Sequence, residues 1–323
     1  MLKSLKIEKF KTHNASVYES IPLSFETFGC PLGTAPIVLV NHALTGNSSV
    51  VGEGGWWKDL IGEGKCIDTS YYSVLAFNIP GNGYDGFLID NYEDFSVYDV
   101  ARLFLKGLEL LKIDSVFAVI GGSLGGNITW QMAVLSPELM EHIIPVATDW
   151  KATDWVLAQC HIQKQLLENS SNPLQDARMH AMTFYRTPQS LTEKFERKKR
   201  PGSANYDVEN WLQSHGEKLQ KRFHLKAYKL MNHLLMTADV TNGAGNFIDS
   251  AKRIKGAIHL IGIDSDQFYI NEEVNRSYLA LREFKSNISF SEINSIHGHD
   301  GFLIEFDQLT GILKHIFQLQ STI

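Results

Sequence analysis

The sequence predicts an α/β protein built on a doubly wound, mostly parallel sheet, and three observations carry that prediction. Continuous apolar runs of strand length, Pro36 to Val40, Val116 to Ile120 and Ile143 to Val146, read as strands buried on both faces. Amphipathic stretches of helical period lie between such runs; in Asp99 to Leu111, residues Val100, Leu103, Phe104, Gly107, Leu108 and Leu111 share one face. Several strands open into loops of Gly, Asn, Asp and His, at the carboxyl edge where open α/β sheets bind ligands.

Taken in order, residues 1–28 alternate in Leu5-Lys6-Ile7-Glu8 and again in Ile21 to Glu26 around Thr12-His13-Asn14, which predicts an antiparallel pair at a sheet edge. The strand Pro36 to Val40 opens into Asn41-His42-Ala43-Leu44-Thr45-Gly46. The segment Val50 to Ser70, with Trp56-Trp57, reads as an ordered loop containing a short helix. A strand over Ser73 to Asn78 ends in Pro80-Gly81-Asn82-Gly83-Tyr84-Asp85-Gly86. Residues 81–86 match Gly-x-Gly-x-x-Gly, but that dinucleotide fingerprint needs a helix opening on its third glycine, and Phe87 to Tyr92 shows no helical start. Gly64-Lys65 is followed by Cys66 where a phosphate-binding loop needs Ser or Thr.

The alternation stops between about Trp150 and Lys255. Helical patterns (Trp155 to Glu168, Ala204 to His215, Gly216 to Met236) are broken there by Asn172-Pro173, Thr187-Pro188 and Pro201-Gly202. This predicts a helical cap over 150–255 inserted into an α/β core of 1–149 and 256–323. Strand and helix then resume: Ala257 to Gly262, helix Asn271 to Phe284, strand Ile288 to Ile293 and a last helix from about Gly301 to Gln318.

Composition narrows the function classes. A net charge of −6 argues against nucleic acid as the main partner, because phosphate binding draws on a basic surface. No apolar run approaches the length of a membrane span, and MLKSLKIEKFK lacks the apolar core of a signal peptide. Cys30, Cys66 and Cys160 are far apart and odd in number, which suggests neither a disulfide framework nor a metal site and makes the cytoplasm the expected compartment.

The chemistry gathers at Gly121-Gly122-Ser123-Leu124-Gly125, between a strand and the helical stretch Asn127 to Leu135. A serine on so tight a turn is pushed out above the sheet, and glycines two residues either side let neighbouring backbones pass. Its hydroxyl needs a base, and the base needs an acid to hold its tautomer. Two later loops at carboxyl strand ends supply them. Of Gly298-His299-Asp300 and the preceding His297, His299 is chosen as base; of Asp264 and Asp266, Asp266 is preferred as acid. By loop position, the backbone N–H groups of Leu44 and Leu124 are the expected oxyanion donors.

His42-Ala43-Leu44-Thr45-Gly46, Gly55-Trp56-Trp57 with Leu60-Ile61-Gly62, Gly121 to Gly126, Ser265-Asp266 and Gly298-His299-Asp300-Gly301-Phe302-Leu303 resemble the homoserine O-acetyltransferase family, a branch of the α/β-hydrolase fold. The likeness spans nearly the whole chain. It implies acetyl transfer from acetyl-CoA, as co-substrate rather than bound cofactor, to the hydroxyl of L-homoserine. The route is ping-pong through acetyl-Ser123, serving methionine synthesis. It also implies a homodimer formed through the cap, a carboxylate grip by Arg222 with Tyr228 in the same motif, and a hold on the amino group by Asp300. The family's loop after the third strand usually reads Gly-Gly-Cys-x-Gly-Ser-Thr-Gly-Pro; here it is Pro80 to Gly86, on which the choice of acyl donor is expected to turn. The run Lys194 to Arg200 is weighed as a phosphate contact for coenzyme A against a solvated loop. An esterase that uses water, or an acyltransferase for serine or a succinyl donor, shares the same triad.

Overall fold

Leu39 and Val40 are neighbours in one strand, both fully buried, and they join two different hydrophobic clusters on opposite sides of the sheet. This is the two-sided burial that the apolar run at 36–40 predicts. The computed structural model describes residues 1–202, 204–243 and 245–317. Strands β1 (Lys3–Lys11) and β2 (Val17–Gly29) pair antiparallel at one edge, as predicted. They are followed by β3 (Ile37–Asn41), the two-residue strands β4 (Ile61–Gly62) and β5 (Ile67–Asp68), β6 (Ser73–Phe77), β7 (Val116–Gly122) and β8 (Met140–Val146). After a long helical excursion come β9 (Ala257–Ile263) and β10 (Ile288–Ile293). The main sheet runs β1-β2-β6-β3-β7-β8-β9-β10, parallel from β6 onward.

Register decides where the loops emerge. Asn41 pairs with Gly121, Gly122 with Val146, Val146 with Ile261, and Ile263 with Ile293. The segments after β3, β7, β8, β9 and β10 therefore leave the sheet side by side along one carboxyl edge.

Helices α1 (Val97–Leu110), α2 (Leu124–Leu135) and, beyond the excursion, α9 (Asn271–Arg282) contribute to one hydrophobic cluster; α10 (Phe306–Phe317) and the 50–72 segment supply the other. Ser96 and Asp99 form a capping box at the start of α1, and the buried Asp99 also accepts from the backbone N–H of His13, tying the first hairpin down.

Between β8 and β9 run α3 (Asp154–Asn169), α4 (Pro173–Tyr185), α5 (Pro188–Phe195), α6 (Asp207–Arg222), α7 (Leu225–Met236) and α8 (Phe247–Ala251). Several local readings are corrected here. Pro173 and Pro188 start α4 and α5 rather than merely interrupting them, because the first turn of a helix has no use for the missing N–H. Helix α6 runs straight through Gly216, where the sequence suggested a boundary. A Cβ at Gly216 would stand 3.0 Å from the backbone of Gln175, so that glycine serves the close approach of α4 and α6. The actual break falls at Phe223 and His224, both extended. Residues 50–70 hold turns and the β4–β5 pair but no helix, with Trp57 fully buried and edge-on to Phe302. The last helix is split into a 3₁₀ turn (Gly298–Leu303) and α10, and Gln318 lies outside the described residues.

A histidine cluster lies beside α10. His142 Nδ1 is 3.1 Å from His259 Nε2 on the adjacent strand, His259 Nδ1 is 3.0 Å from Ser289 Oγ, and the His315 ring is 5.9 Å from that of His259. Burial, reinforced by His142 and His315, lowers the His259 pKa to about 4. Unfolding then adds a proton to His259 at intermediate pH, so the contribution of this group to stability falls as the pH drops from about 6.5 towards 4 and levels off below. Denaturant titrations across this window should show that slope, and His259→Gln should reduce it, leaving the part due to His42 and His215, whose pKa values are also lowered to about 4.

Candidate active site

Ser123 sits between β7 and α2 at φ 55°, ψ −123°, a conformation costly for a residue with a side chain. The surroundings enforce it. A Cβ at Gly121 would come within 2.3 Å of the Gly125 carbonyl, and one at Gly125 within 2.1 Å of the Asn41 carbonyl. Both glycines are therefore demanded by backbone crossing backbone, and Gly126 fits as closely against Thr148. The Ser123 N–H donates to Val146 O at 2.9 Å, which pins the turn to the next strand.

The three residues chosen for catalysis meet. Ser123 Oγ is 2.9 Å from His299 Nε2, and His299 Nδ1 is 2.7 Å from Asp266 Oδ2. All three are almost wholly buried. Asp266 Oδ1 accepts from the backbone N–H groups of Phe268 (2.7 Å) and Tyr269 (3.0 Å), so its other oxygen is left to orient the imidazole. The neighbouring candidates are engaged elsewhere. Asp264 is exposed and accepts from Ser295 N–H at 2.9 Å, while His297 Nδ1 lies 2.7 Å from Arg186 Nη2. Rings of Tyr185, Phe268, Tyr269 and Phe302 surround His299 with centroids 5.3 to 5.9 Å away, which locks the imidazole and keeps water off it.

The backbone N–H groups of Leu44 and Leu124 have no partner among the described residues. Leu44 borders the pocket and Leu124 opens α2, whose unpaired amides and dipole favour negative charge beside Ser123.

The pocket at Ser123 is small, about 70 Å³, and its wall carries one cation and one anion, Arg178 and Asp300. Burial raises the Asp300 carboxyl above its ordinary range, while Arg178, His299 and Arg186 pull the other way. Arg222 reaches the rim instead: its Nη1 donates to the Thr45 carbonyl at 3.0 Å, and Thr45 lines the pocket. Tyr228 does not reach the pocket. It is buried on α7, edge-on to Phe223, and burial pushes its hydroxyl up to about 12. Nor does any residue of Pro80 to Gly86 line it; Asn82 turns to His42 (3.3 Å), while Gly81 and Gly83 lie against Leu230 and His224.

Arg178, Tyr185 and Arg186 escaped the sequence reading because α4 did. The signal was present: Arg178 stands four residues after Leu174 and seven before Tyr185, on the buried stripe of the helix. The basic run Lys194 to Arg200 is largely engaged within the chain, Lys198 with Glu196, Arg200 with Asp207 at 3.6 Å, and Arg197 and Lys199 over the Tyr206 ring.

Residues 36–230 match the model of the alpha/beta hydrolase fold family. The chain belongs to the α/β-hydrolase fold family. Among curated members, the homoserine O-acetyltransferase of Salinibacter ruber is 28% identical over 97% of both chains, and that of Thermus thermophilus 29% identical over 95% of this chain and 88% of its own. Among solved structures, homoserine O-acetyltransferase from Staphylococcus aureus superposes with a TM-score of 0.85 at 24% identity, covering 100% of this chain and 97% of its own. Esterase E22 gives 0.87 at 17%, covering 98% and 100%. Both share the fold of this α/β-hydrolase.

Asp266→Asn preserves the Oδ1 acceptor for Phe268 and Tyr269 but offers His299 Nδ1–H an amide instead of a carboxylate. It should lower kcat by about 10³- to 10⁴-fold with little change in KM or thermal midpoint, measured on an activated acetyl ester.

Proposed function

We propose that this α/β-hydrolase is an O-acyltransferase that moves an acetyl group from acetyl-CoA to the hydroxyl of L-homoserine, in methionine synthesis. The observation that carries the proposal is a buried Ser123–His299–Asp266 chain opening on a pocket whose wall holds a cation and an anion, the pair that an amino-acid zwitterion requires. Relatives of that name, similar over nearly the full length of both chains, support it.

In this reading Ser123 Oγ attacks the thioester carbonyl as His299 Nε2 takes its proton, and the oxyanion turns to the N–H groups of Leu44 and Leu124. The proton passes to the departing thiolate, leaving acetyl-Ser123 and free coenzyme A. The acceptor hydroxyl then gives its proton to His299 and attacks the acetyl carbonyl. The tetrahedral intermediate collapses by breaking the bond to Ser123 Oγ, which takes the proton back from His299 as the O-acetylated amino acid leaves. Excluding water decides between transfer and hydrolysis, and the aromatic rings around His299 and the narrow pocket favour transfer. Arg178 takes the acceptor carboxylate, with Arg222 steadying the rim through Thr45, and Asp300 takes the ammonium. A homodimer through the helices between β8 and β9 belongs to this reading; Trp155 and Ile162, exposed and seven residues apart on α3, suit such a contact. Three free cysteines suit a cytoplasmic setting.

The test is release of coenzyme A from acetyl-CoA and from succinyl-CoA, with and without L-homoserine or L-serine, the product being weighed by mass spectrometry. Release from acetyl-CoA that depends on L-homoserine is expected, and Ser123→Ala should abolish it together with fluorophosphonate labelling. Release indifferent to the amino acid would make water the acceptor and the protein an esterase. Arg178→Ala should raise KM for the amino acid by about 10- to 100-fold, as loss of a charged contact implies, while leaving KM for the acyl donor near the parent value.

A further inference from the structure

His42 lies one residue before the peptide that presents the Leu44 amide, and it is wholly buried. Its Nε2 lies 3.0 Å from the backbone N–H of Ile79 and 3.3 Å from Asn82 Nδ2. A backbone N–H can only donate, so Nε2 is an acceptor and bears no proton. Burial lowers the pKa of the ring to about 4, so at neutral pH the imidazole carries its single proton on Nδ1. That nitrogen is 2.8 Å from the carbonyl oxygen of Ala43. The same oxygen accepts from Gly46 N–H at 2.9 Å.

The Ala43 carbonyl and the Leu44 N–H are the two ends of one planar peptide unit and point in opposite directions. Fixing the oxygen fixes the N–H. A donor on the oxygen also draws electron density through the amide and strengthens the N–H as a donor. We infer that His42, through its Nδ1–H bond to the Ala43 carbonyl, is a positioning residue that aims and polarises the Leu44 N–H at the oxyanion. Asn82, and with it the loop after β6, acts on the reaction through the tautomer of His42 and not through contact with the acyl group. This rests on Ser123 forming an acyl-enzyme, which transfer and hydrolysis share.

Two isosteres separate the roles of the two nitrogens. In His42→Asn the amide nitrogen can occupy the place of Nδ1 and keep the donor to Ala43, losing the acceptor for Ile79. In His42→Gln the amide oxygen reaches the place of Nε2 and keeps that acceptor, losing the donor. Pre-steady-state acylation by p-nitrophenyl acetate, which needs no amino acid, reads the oxyanion step directly. His42→Gln should acylate about 10- to 100-fold more slowly, with ester affinity near the parent value, a fraction of the 10²–10³ lost when an oxyanion donor is removed outright. His42→Asn should be at least several-fold faster than His42→Gln. The reverse order, or equal loss in both, would reduce His42 to a support of the 79–82 loop and overturn the inference. Parent protein that does not acylate at all would overturn the serine mechanism itself, and this role with it.

A measurement on the unmutated chain stands independently of how the variants fold. With ¹⁵N-labelled histidine, His42 should show a protonated Nδ1 and a bare Nε2 between about pH 6 and 8, and its Nδ1–H signal should shift when a phosphonate adduct on Ser123 fills the oxyanion position. A proton on Nε2, or a signal indifferent to the adduct, would overturn the assignment.

Discussion

The backbone of Ser123 is held at a positive φ, and the arrangement of the rest of the site follows from what it takes to hold it there. Two carbonyl groups occupy the space where side chains at positions 121 and 125 would stand, and the Ser123 N–H is anchored on β8. The strain is carried by a largely buried parallel sheet whose strands β3, β7 and β8 are locked in register. In return the hydroxyl projects beyond the carboxyl edge, where the loops after β9 and β10 bring an acid and a base to hydrogen-bonding distance.

Around that point charge is distributed with some economy. Arg178 and Asp300 remain available at the pocket wall, whereas Arg186 is committed to His297 and Arg222 to Thr45. The loop carrying His299 is fixed from both sides: Thr187 donates to the Ile296 carbonyl, and Gly298 N–H donates to Ser265 Oγ at 3.1 Å. Helix α4 thus supplies an aromatic wall through Tyr185 and a pocket cation through Arg178, and the residues just after it brace the base.

Much of this was legible in the chain. The elbow was readable because Gly-x-Ser-x-Gly stood between an unmistakable strand and a helix, and His299 and Asp266 because they follow strands that must end at the same edge. The choice of Asp266 over Asp264 is explained only in the structure, where two backbone N–H groups turn Asp266 inward and Ser295 holds Asp264 at the surface. What sequence misjudged were tertiary causes with local disguises. Gly216 looked like a helix end and is a helix contact; Pro173 and Pro188 looked like interruptions and are beginnings. Arg178 went unnoticed because a charge on an apolar stripe has meaning only once the stripe is known to face a pocket.

The helices α3 to α8 separate Ser123 from Asp266 and His299 in the order of synthesis. While the chain is being made, the nucleophile's strand and helix can form early, yet the serine has neither base nor acid until β9, β10 and the loops behind them have emerged and docked. A half-made chain therefore holds an inert hydroxyl, and reactivity arrives together with the completed sheet and the aromatic rings packed around His299.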